Sequence, residues 1–344
     1  VTTTERRPGG AAPTLEEVAR EAGVSRATAS RAINGGSRVS PRAQAAVAAA
    51  VRTLGYTPNP AARSLMTRRT DSVAVVVPEP DERVFSDPFF SLTLRSVHRV
   101  LDEHGLQLVL LLARRGTASE QTLRYLSGRP VDGALITSHH RDDGLAGRLA
   151  DLGLPCVFGG RPWDDTDRVS WVDVDQVAGG RMAAEALLQR GRRVLATVTG
   201  PEDMTAAADR LTGWRAALGE AGVAADRVAV GDFTEVGGEA AARELLARHP
   251  DVDGVFAASD LMAAGVLKVL AELGRRVPED VAVVGFDDLG GAETTTPTLT
   301  TVHNPVAAMA EEATRMLLRQ IGGEGPASPV RVVMPTRLVR RESC

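Results

Sequence analysis

The stretch TLEEVAREAGVSRATASRAIN, Thr14 to Asn34, decides the N-terminal fold. Thr14-Leu-Glu-Glu17 has capping-box spacing: the Thr14 hydroxyl can accept from the Glu17 N–H, and the Glu17 carboxylate from the Thr14 N–H. Leu15, Val18, Ala19 and Ala22 then recur at i, i+3, i+4 and i+7, one apolar helix face. Gly23 ends that helix, since a left-handed residue costs glycine nothing. Ser25 is a fresh N-cap for a second helix, Arg26 to Ile33, with Ala29, Ala32 and Ile33 as its apolar positions. Two short helices, a tight turn and a small residue, Ala19, at the crossing predict a helix-turn-helix. The second helix turns Arg26, Ala27, Thr28, Ser30 and Arg31 outward, side chains suited to base edges and phosphates. A plain three-helix bundle with a polar face has the same local spacing.

Working outward, Ser40-Pro41 opens a third helix, with Val47, Val51 and Leu54 as its buried stripe and Gly55 as its stop. Tyr56-Thr-Pro-Asn-Pro60 is rigid and extended. Asn59-Pro60 is a helix-start signal, but Ala61 to Met66 offers only two turns, marginal alone in water and suited to folding on a partner. Residues 1–70 hold eleven arginines against four glutamates, a net +7, so with −4 overall the other 274 residues carry −11. A basic head on an acidic body suggests that only the head meets a polyanion.

From Asp71 the pattern becomes short apolar strands alternating with helical stretches. Strands are expected at Val73–Val77, Leu106–Leu112, Val131–Thr137, Pro155–Phe158, Arg193–Thr199, Arg227–Gly231, Gly254–Ala257 and Val281–Phe286. Helices are expected at, for instance, Phe89–His104, Val177–Arg190, Ala206–Ala221 and Leu261–Leu273. Such alternation predicts parallel, doubly wound α/β sheets, and so many units predict two lobes. No stretch approaches the roughly 18 apolar residues of a membrane span. Val1 to Pro13 lacks the apolar core of a secretory signal, and Cys156 and Cys344 make no disulfide framework, so a cytoplasmic location is expected. Phosphate-loop, dinucleotide, metalloprotease and C-x-x-C motifs are absent from the sequence. His139-His140 reads as a polar loop rather than a metal pair. An enzyme, a cofactor and a metal are therefore not expected. A solute-binding protein of a sugar transport system is the rival, but it predicts an export signal and no basic head.

The run Thr14 to Leu65 resembles the head and hinge of the LacI/GalR family of bacterial repressors. It carries V-A-x-x-A-G-V-S, T-x-S-R-x-x-N, L-G-Y-x-P-N and A-R-S-L in order. Ala29 stands where the family usually has valine. The resemblance extends through Pro88-Phe-Phe90, Val131-Asp-Gly133, Asp209-Arg-Leu-Thr-Gly-Trp214, Ala258-Ser-Asp-Leu-Met262, Val283-Val-Gly-Phe-Asp-Asp288 and Pro297-Thr-Leu-Thr-Thr301. It implies a disordered tail (1–13), a helix-turn-helix DNA-binding domain (14–58), a hinge helix and linker (59–71), and a two-lobed, periplasmic-binding-protein-like α/β sensor (72–344). DNA contact then falls to Thr14, Ser25, Arg26, Ala27, Thr28, Ser30, Arg31, Asn34, Tyr56, Asn59, Ala62 and Leu65. Leu65 is the implied minor-groove wedge; the alternative is a linker whose Leu65 and Met66 dock on the body.

The same resemblance implies an effector cleft lined by Phe89, Phe90, Ser138, Arg161, Trp163, Arg210, Phe233, Ser259 and Asp287. A charged donor, Arg210, and a charged acceptor, Asp287, beside an aromatic face suit a sugar. Each has a plainer alternative: Phe233 as core, Arg210 paired with Asp209 along a helix, Phe89-Phe90 as the cap of a lobe. Gly160 stands where the family commonly has aspartate, near Arg161 and Trp163. That change either lengthens the pocket for a longer saccharide or admits an acidic ligand, with Trp163 as a stacking platform. The implied partners are double-stranded DNA bearing a near-palindromic operator, a small-molecule effector, and a second copy of the chain in a homodimer.

Overall fold

The computed structural model describes residues 13–33, 39–57, 69–113, 117–326 and 328–344. It falls into two compact units, Val1–Thr70 and Asp71–Cys344. Asn34, Asn59, Ala62 and Leu65, and with them the expected hinge helix, lie outside the described residues.

The first unit holds three helices, α1 (Leu15–Glu21), α2 (Arg26–Ile33) and α3 (Pro41–Leu54). The capping box forms: Thr14 N donates to Glu17 Oε2 at 2.8 Å, and Glu17 N to Thr14 Oγ1 at 3.3 Å. The Thr14 N–H and hydroxyl both donate to the Glu17 carboxylate and hold that carboxyl below its ordinary value. Gly23 takes the left-handed turn at φ +64°, and Ser25 Oγ accepts from Thr28 N at 3.1 Å to start α2. The core is Val18, Ala19, Ala29, Val47 and Ala50, all buried, so small side chains bring the helices close. Val51 and Leu54, expected in the buried stripe, are half-buried at the rim. With alanines at the crossings, α3 turns Ala50 inward with Val47.

The second unit is built on two six-stranded sheets. In the first lobe they come from β1 (Ser72–Val77), β2 (Gln107–Leu112), β3 (Gly133–Thr137), β4 (Cys156–Gly159), β5 (Ser170–Val174) and β11 (Arg331–Met334), in the order β2-β1-β3-β4-β5-β11. Helices α4 (Asp81–Ser86), α5 (Pro88–Glu103), α6 (Thr117–Ser127), α7 (Leu145–Leu152) and α12 (Val306–Gly322) accompany it. The second lobe has β6 (Leu195–Thr199), β7 (Val228–Val230), β8 (Gly254–Ala257), β9 (Ala282–Asp287), β10 (Thr300–His303) and β12 (Arg337–Val339), in the order β7-β6-β8-β9-β10-β12. Its helices are α8 (Gln176–Gln189), α9 (Thr205–Glu220), α10 (Glu235–Arg248) and α11 (Asp260–Glu272). The pairs are parallel except β10–β12, which is antiparallel. That pair departs from the strictly parallel sheets expected. The last strand enters the second lobe through a two-residue link from β11, a parallel strand of the other sheet, rather than through a helix of its own lobe.

The chain passes between lobes three times, from β5 to α8, from β10 to α12 and from β11 to β12. Residues at these passages can face both lobes. In the second lobe, α8 and α9 touch backbone to backbone. A Cβ on Gly180 would lie 1.9 Å from the Arg210 carbonyl oxygen, and one on Gly213 would lie 1.9 Å from that of Val177. That contact sets Arg210 beside the start of α8.

Candidate functional site

The cleft between the lobes encloses a cavity at the carboxyl ends of the strands, where parallel sheets bind ligands. From the first lobe it is lined by Arg83, Asp87, Phe89, Ser138, His139 and Gly160; from the second by Arg210, Phe233, Ser259 and Asp287. Asp173, Gln176 and Asn304, at or beside two of the interlobe passages, add to the wall. Six sequence-expected effector residues thus meet here: Phe89, Ser138, Arg210, Phe233, Ser259 and Asp287. Ser138, Phe233 and Asp287 have positive φ (56°, 65° and 124°), an uncommon backbone state that recurs at ligand sites. Gly200 makes room for Phe233, whose ring atom Cζ would lie 2.1 Å from a Cβ there.

Three of the expected cleft residues are corrected. Phe90 is 1% exposed and sits in the first lobe's core, edge-on to Phe89. Neighbouring helix residues point about 100° apart, so only one of the pair can face the cavity. Arg161 instead pairs across the cleft mouth with Asp209, at 2.7 and 2.9 Å from its two carboxylate oxygens. Trp163 is not on the cavity wall either. Its indole Nε1 donates to the Asp203 carbonyl at 2.6 Å, Arg141 lies 3.9 Å over one face of its ring, and it borders a separate small pocket with His140 and Arg141. The expected polar loop at His139-His140 is also corrected, since both imidazoles are buried. His139 packs edge-on to Phe158, and its Nε2 meets the Gly160 carbonyl at 3.2 Å. Burial pushes its pKa down to about 4, so it is neutral. Among the described residues no cluster of three His, Cys, Asp or Glu side chains is arranged to hold a metal.

Arg210 is buried, donates from Nε to Gln176 Oε1 at 2.8 Å and from Nη1 to the Ala258 carbonyl, and lies 3.5 Å from the Phe286 ring centre. Burial lowers its pKa, opposed by Asp287, Asp173 and Asp260. Its Nη2 is 3.8 Å from Asp287 Oδ1. Burial raises the Asp287 carboxyl to about 6, against the pull of Arg210 and a hydrogen bond from Asn304 at 3.1 Å. Burial also raises Asp87 and Asp173. The Asp173 carboxylate accepts from Arg161 N, Val174 N and Gln176 Nε2, which pins the first passage between lobes.

Sequence reading missed Arg83, Asp87, Gln176 and Asn304. Arg83 projects from α4, pairs with Glu79 at 2.6 Å and lies 5.3 Å from the Phe233 ring of the opposite lobe. Among the described residues, Arg83 Nε and Asn304 Oδ1 are buried without a hydrogen-bond partner. A donor and an acceptor left over in one cavity match a ligand that both accepts and donates. No local signal marks either residue, because each acquires its meaning from the far lobe.

The head presents a second surface. Ser25, Arg26, Ala27 and Arg31 are exposed on α2, with Thr28 and Ser30 half-buried beside them. Thr14 is exposed at the start of α1, and Tyr56 is half-buried against the head core. Arg26 Nε holds Glu16 at 2.7 Å, an exposed pair of small worth that yields readily to a phosphate.

A family model for bacterial regulatory proteins of the lacI family matches residues 14–59, and one for a periplasmic binding protein-like domain matches residues 169–344. The HTH-type transcriptional regulator CelR of Thermobifida fusca is 50% identical over 334 residues, 96% of this chain and 98% of that protein. The ribose operon repressor of Halalkalibacterium halodurans is 34% identical, covering 96% of each. Among solved structures, a CelR–cellobiose complex aligns at TM-score 0.77 and 48% identity over 96% of this chain and all of the other. The lac repressor dimer bound to operator and the anti-inducer ONPF aligns at TM-score 0.86 and 26% identity over 96% and 98%. A transport solute-binding protein would leave the matched head unexplained. The chain belongs to the LacI family of bacterial regulatory proteins: it is a DNA-binding transcriptional regulator, not an enzyme, with a helix-turn-helix head and a two-lobed α/β body.

Proposed function

We propose that this regulator is a cytoplasmic repressor, acting as a homodimer on a near-palindromic operator, and that a neutral glucose disaccharide of the cellobiose class controls it from the interlobe cavity. The leftover donor Arg83 Nε and acceptor Asn304 Oδ1, in one cavity with the aromatic Phe233, carry the effector reading. Hydroxyls take both roles at once, and a sugar's C–H face packs on an aromatic ring. The likeness to a regulator solved with cellobiose supports the same class. Each cavity arginine already has a carboxylate beside it, Arg83 with Glu79 and Arg210 with Asp287, and Asp87 and Asp173 add further carboxyls to the wall, which disfavours an acidic ligand.

On DNA, α2 enters the major groove, with Ser25, Arg26, Ala27, Thr28, Ser30 and Arg31 toward bases and phosphates, and Thr14 and Tyr56 on the flanking backbone. The segment holding Asn59, Ala62 and Leu65 adds the minor-groove contact. Because both lobes line the cavity, an effector favours closed lobes through its different affinity for the two states. Titration calorimetry against cellobiose, cellotriose, lactose, glucose and gluconate tests the effector class. Micromolar binding of cellobiose, at least about tenfold tighter than glucose, is expected, that ratio being about 1.4 kcal/mol. Binding of gluconate alone would contradict it.

A further inference from the structure

One imidazole touches both lobes. His140 is 4% exposed; its Nε2 lies 3.1 Å from Glu79 Oε1, and its Nδ1 3.0 Å from Asp203 Oδ1. Glu79 follows β1 in the first lobe, whereas Asp203 stands in the turn before α9 in the second. A neutral imidazole carries one N–H, so only the imidazolium can donate to both carboxylates. The same Glu79 Oε1 accepts from Ser138 Oγ and from Arg83 Nη1, each at 2.6 Å, and both of those side chains line the cavity. The Asp203 carbonyl in turn accepts from Arg141 N at 2.9 Å and from Trp163 Nε1. One buried ring thus joins the cavity wall to the grip between lobes.

We propose that His140 is a positioning residue for the effector response: it fixes Glu79, and through it Arg83 and Ser138, against Asp203 of the opposite lobe, so that closing the lobes takes up a proton at this imidazole. The inference rests on the reading that the lobes close around a ligand.

The charged groups around the ring come from every element packed on it. They are Glu79 after β1, Arg83 on α4, His139 and Arg141 beside it, Asp143 (which accepts from the His140 N–H at 2.7 Å), Asp164 and Asp165 on the small pocket that His140 also lines, and Asp203 before α9. Burial disfavours the cation, but the hydrogen bonds and charges of Glu79 and Asp203 outweigh it and raise the pKa. Opening the lobes removes Asp203, leaves Glu79 and lifts part of the burial. With loss of the second acceptor the larger effect, the closed-lobe pKa exceeds the open-lobe one. The protonation contribution to closure is full below the open-lobe value and is lost as pH rises through the closed-lobe value.

The test uses the full chain as wild type, His140→Gln and Asp203→Asn, the last changing a partly exposed side chain in case the first fails to fold. The first readout needs no ligand: Trp163 emission, taken as the difference from the matching Trp163→Phe background, followed from about pH 6 to 9. A transition in wild type that is absent from His140→Gln and shifted to lower pH in Asp203→Asn is expected. Its absence from wild type, or its persistence in His140→Gln, overturns the proposal. The second readout is calorimetric titration with cellobiose in two buffers of different ionisation enthalpy. Above the pH range in which Asp287 titrates, from about pH 7 upward, wild type should take up protons and bind more weakly as pH rises. His140→Gln should bind about fivefold more weakly at the acid end and lose that uptake. Equal proton uptake and an equal pH profile in the two proteins also overturn it. Failure of wild type to bind cellobiose would instead strike the effector reading, and the emission transition would still decide the bridge.

Discussion

Asp209 of the second lobe is held by Arg161 of the first, 48 residues away, and not by Arg210 beside it in sequence. The reason is the crossing of α8 and α9, which turns Arg210 into the cavity onto Gln176 and leaves Asp209 at the cleft mouth. The Arg161–Asp209 pair therefore bridges the lobes. It is partly solvated, so its worth is modest. A double-mutant cycle with Arg161→Ala and Asp209→Ala should give a coupling of about 0.5–1 kcal/mol in effector binding. Titration calorimetry reads it, and a coupling of zero would remove the pair from closure.

The α8–α9 contact predicts a sharp contrast between glycines of α9. Gly213→Ala forces a Cβ into the Val177 backbone and should cost about 3 kcal/mol. Gly219→Ala meets nothing within 4 Å and should gain up to about 1 kcal/mol from helix propensity. Urea unfolding of the full chain distinguishes them.

Asp260 predicts an alkaline loss of stability. Burial, with Asp287 nearby, raises its carboxyl to about 8, while Thr301 Oγ1 and Asp288 N hydrogen-bond it at 2.5 and 2.7 Å. The folded protein then holds a proton that the unfolded chain releases near 4, so stability falls as pH rises through about 4 to 8. Asp260→Asn can keep both partners, with the Thr301 hydroxyl turned to accept. Thermal melts at pH 5 and 9 should show a smaller drop for the variant than for wild type.

Asp287→Asn predicts the opposite trend in ligand binding. The ionised carboxylate is the stronger acceptor, and it forms only above about 6. Wild-type affinity for a hydroxylated effector should therefore weaken as pH falls through 6. The variant should bind about tenfold or more weakly at pH 7.5, without that acid dependence.

What was legible in the sequence follows the range of the interactions involved. Thr14, Gly23, Ser25 and Ser40 act within a few residues, so the head's caps and turns could be read directly. Arg210 and Asp287 were legible because they sit in motifs shared with related chains. Glu79, Arg83, His140 and Asn304 were not, since folding alone brings them to the cavity: Glu79 and His140 are 61 positions apart, and Arg83 meets the Phe233 ring of the other lobe. Strand β10 was missed because Thr300-Thr-Val-His lacks an apolar run, and β12 because Arg337-Leu-Val is too short to show a period. Phe90 and Trp163 were misplaced for one reason: residue type suggests a stacking platform, but a neighbour decides which way the ring faces.

The head makes a salt prediction. Arg26 and Arg31 lie exposed on α2. If one of them holds a phosphate, its change to alanine should reduce the slope of log affinity against log salt by roughly 1. If it reads a base, sequence preference should relax while the slope stays.

The most direct measurement is the fluorescence anisotropy of a labelled duplex from the region upstream of the protein's own gene, titrated with full-length protein at fixed salt, with and without saturating cellobiose. The account predicts preference over a scrambled duplex and a change of at least about tenfold in affinity with the sugar, the coupling that two linked sites supply. Equal affinity for both duplexes, unmoved by cellobiose, would contradict it.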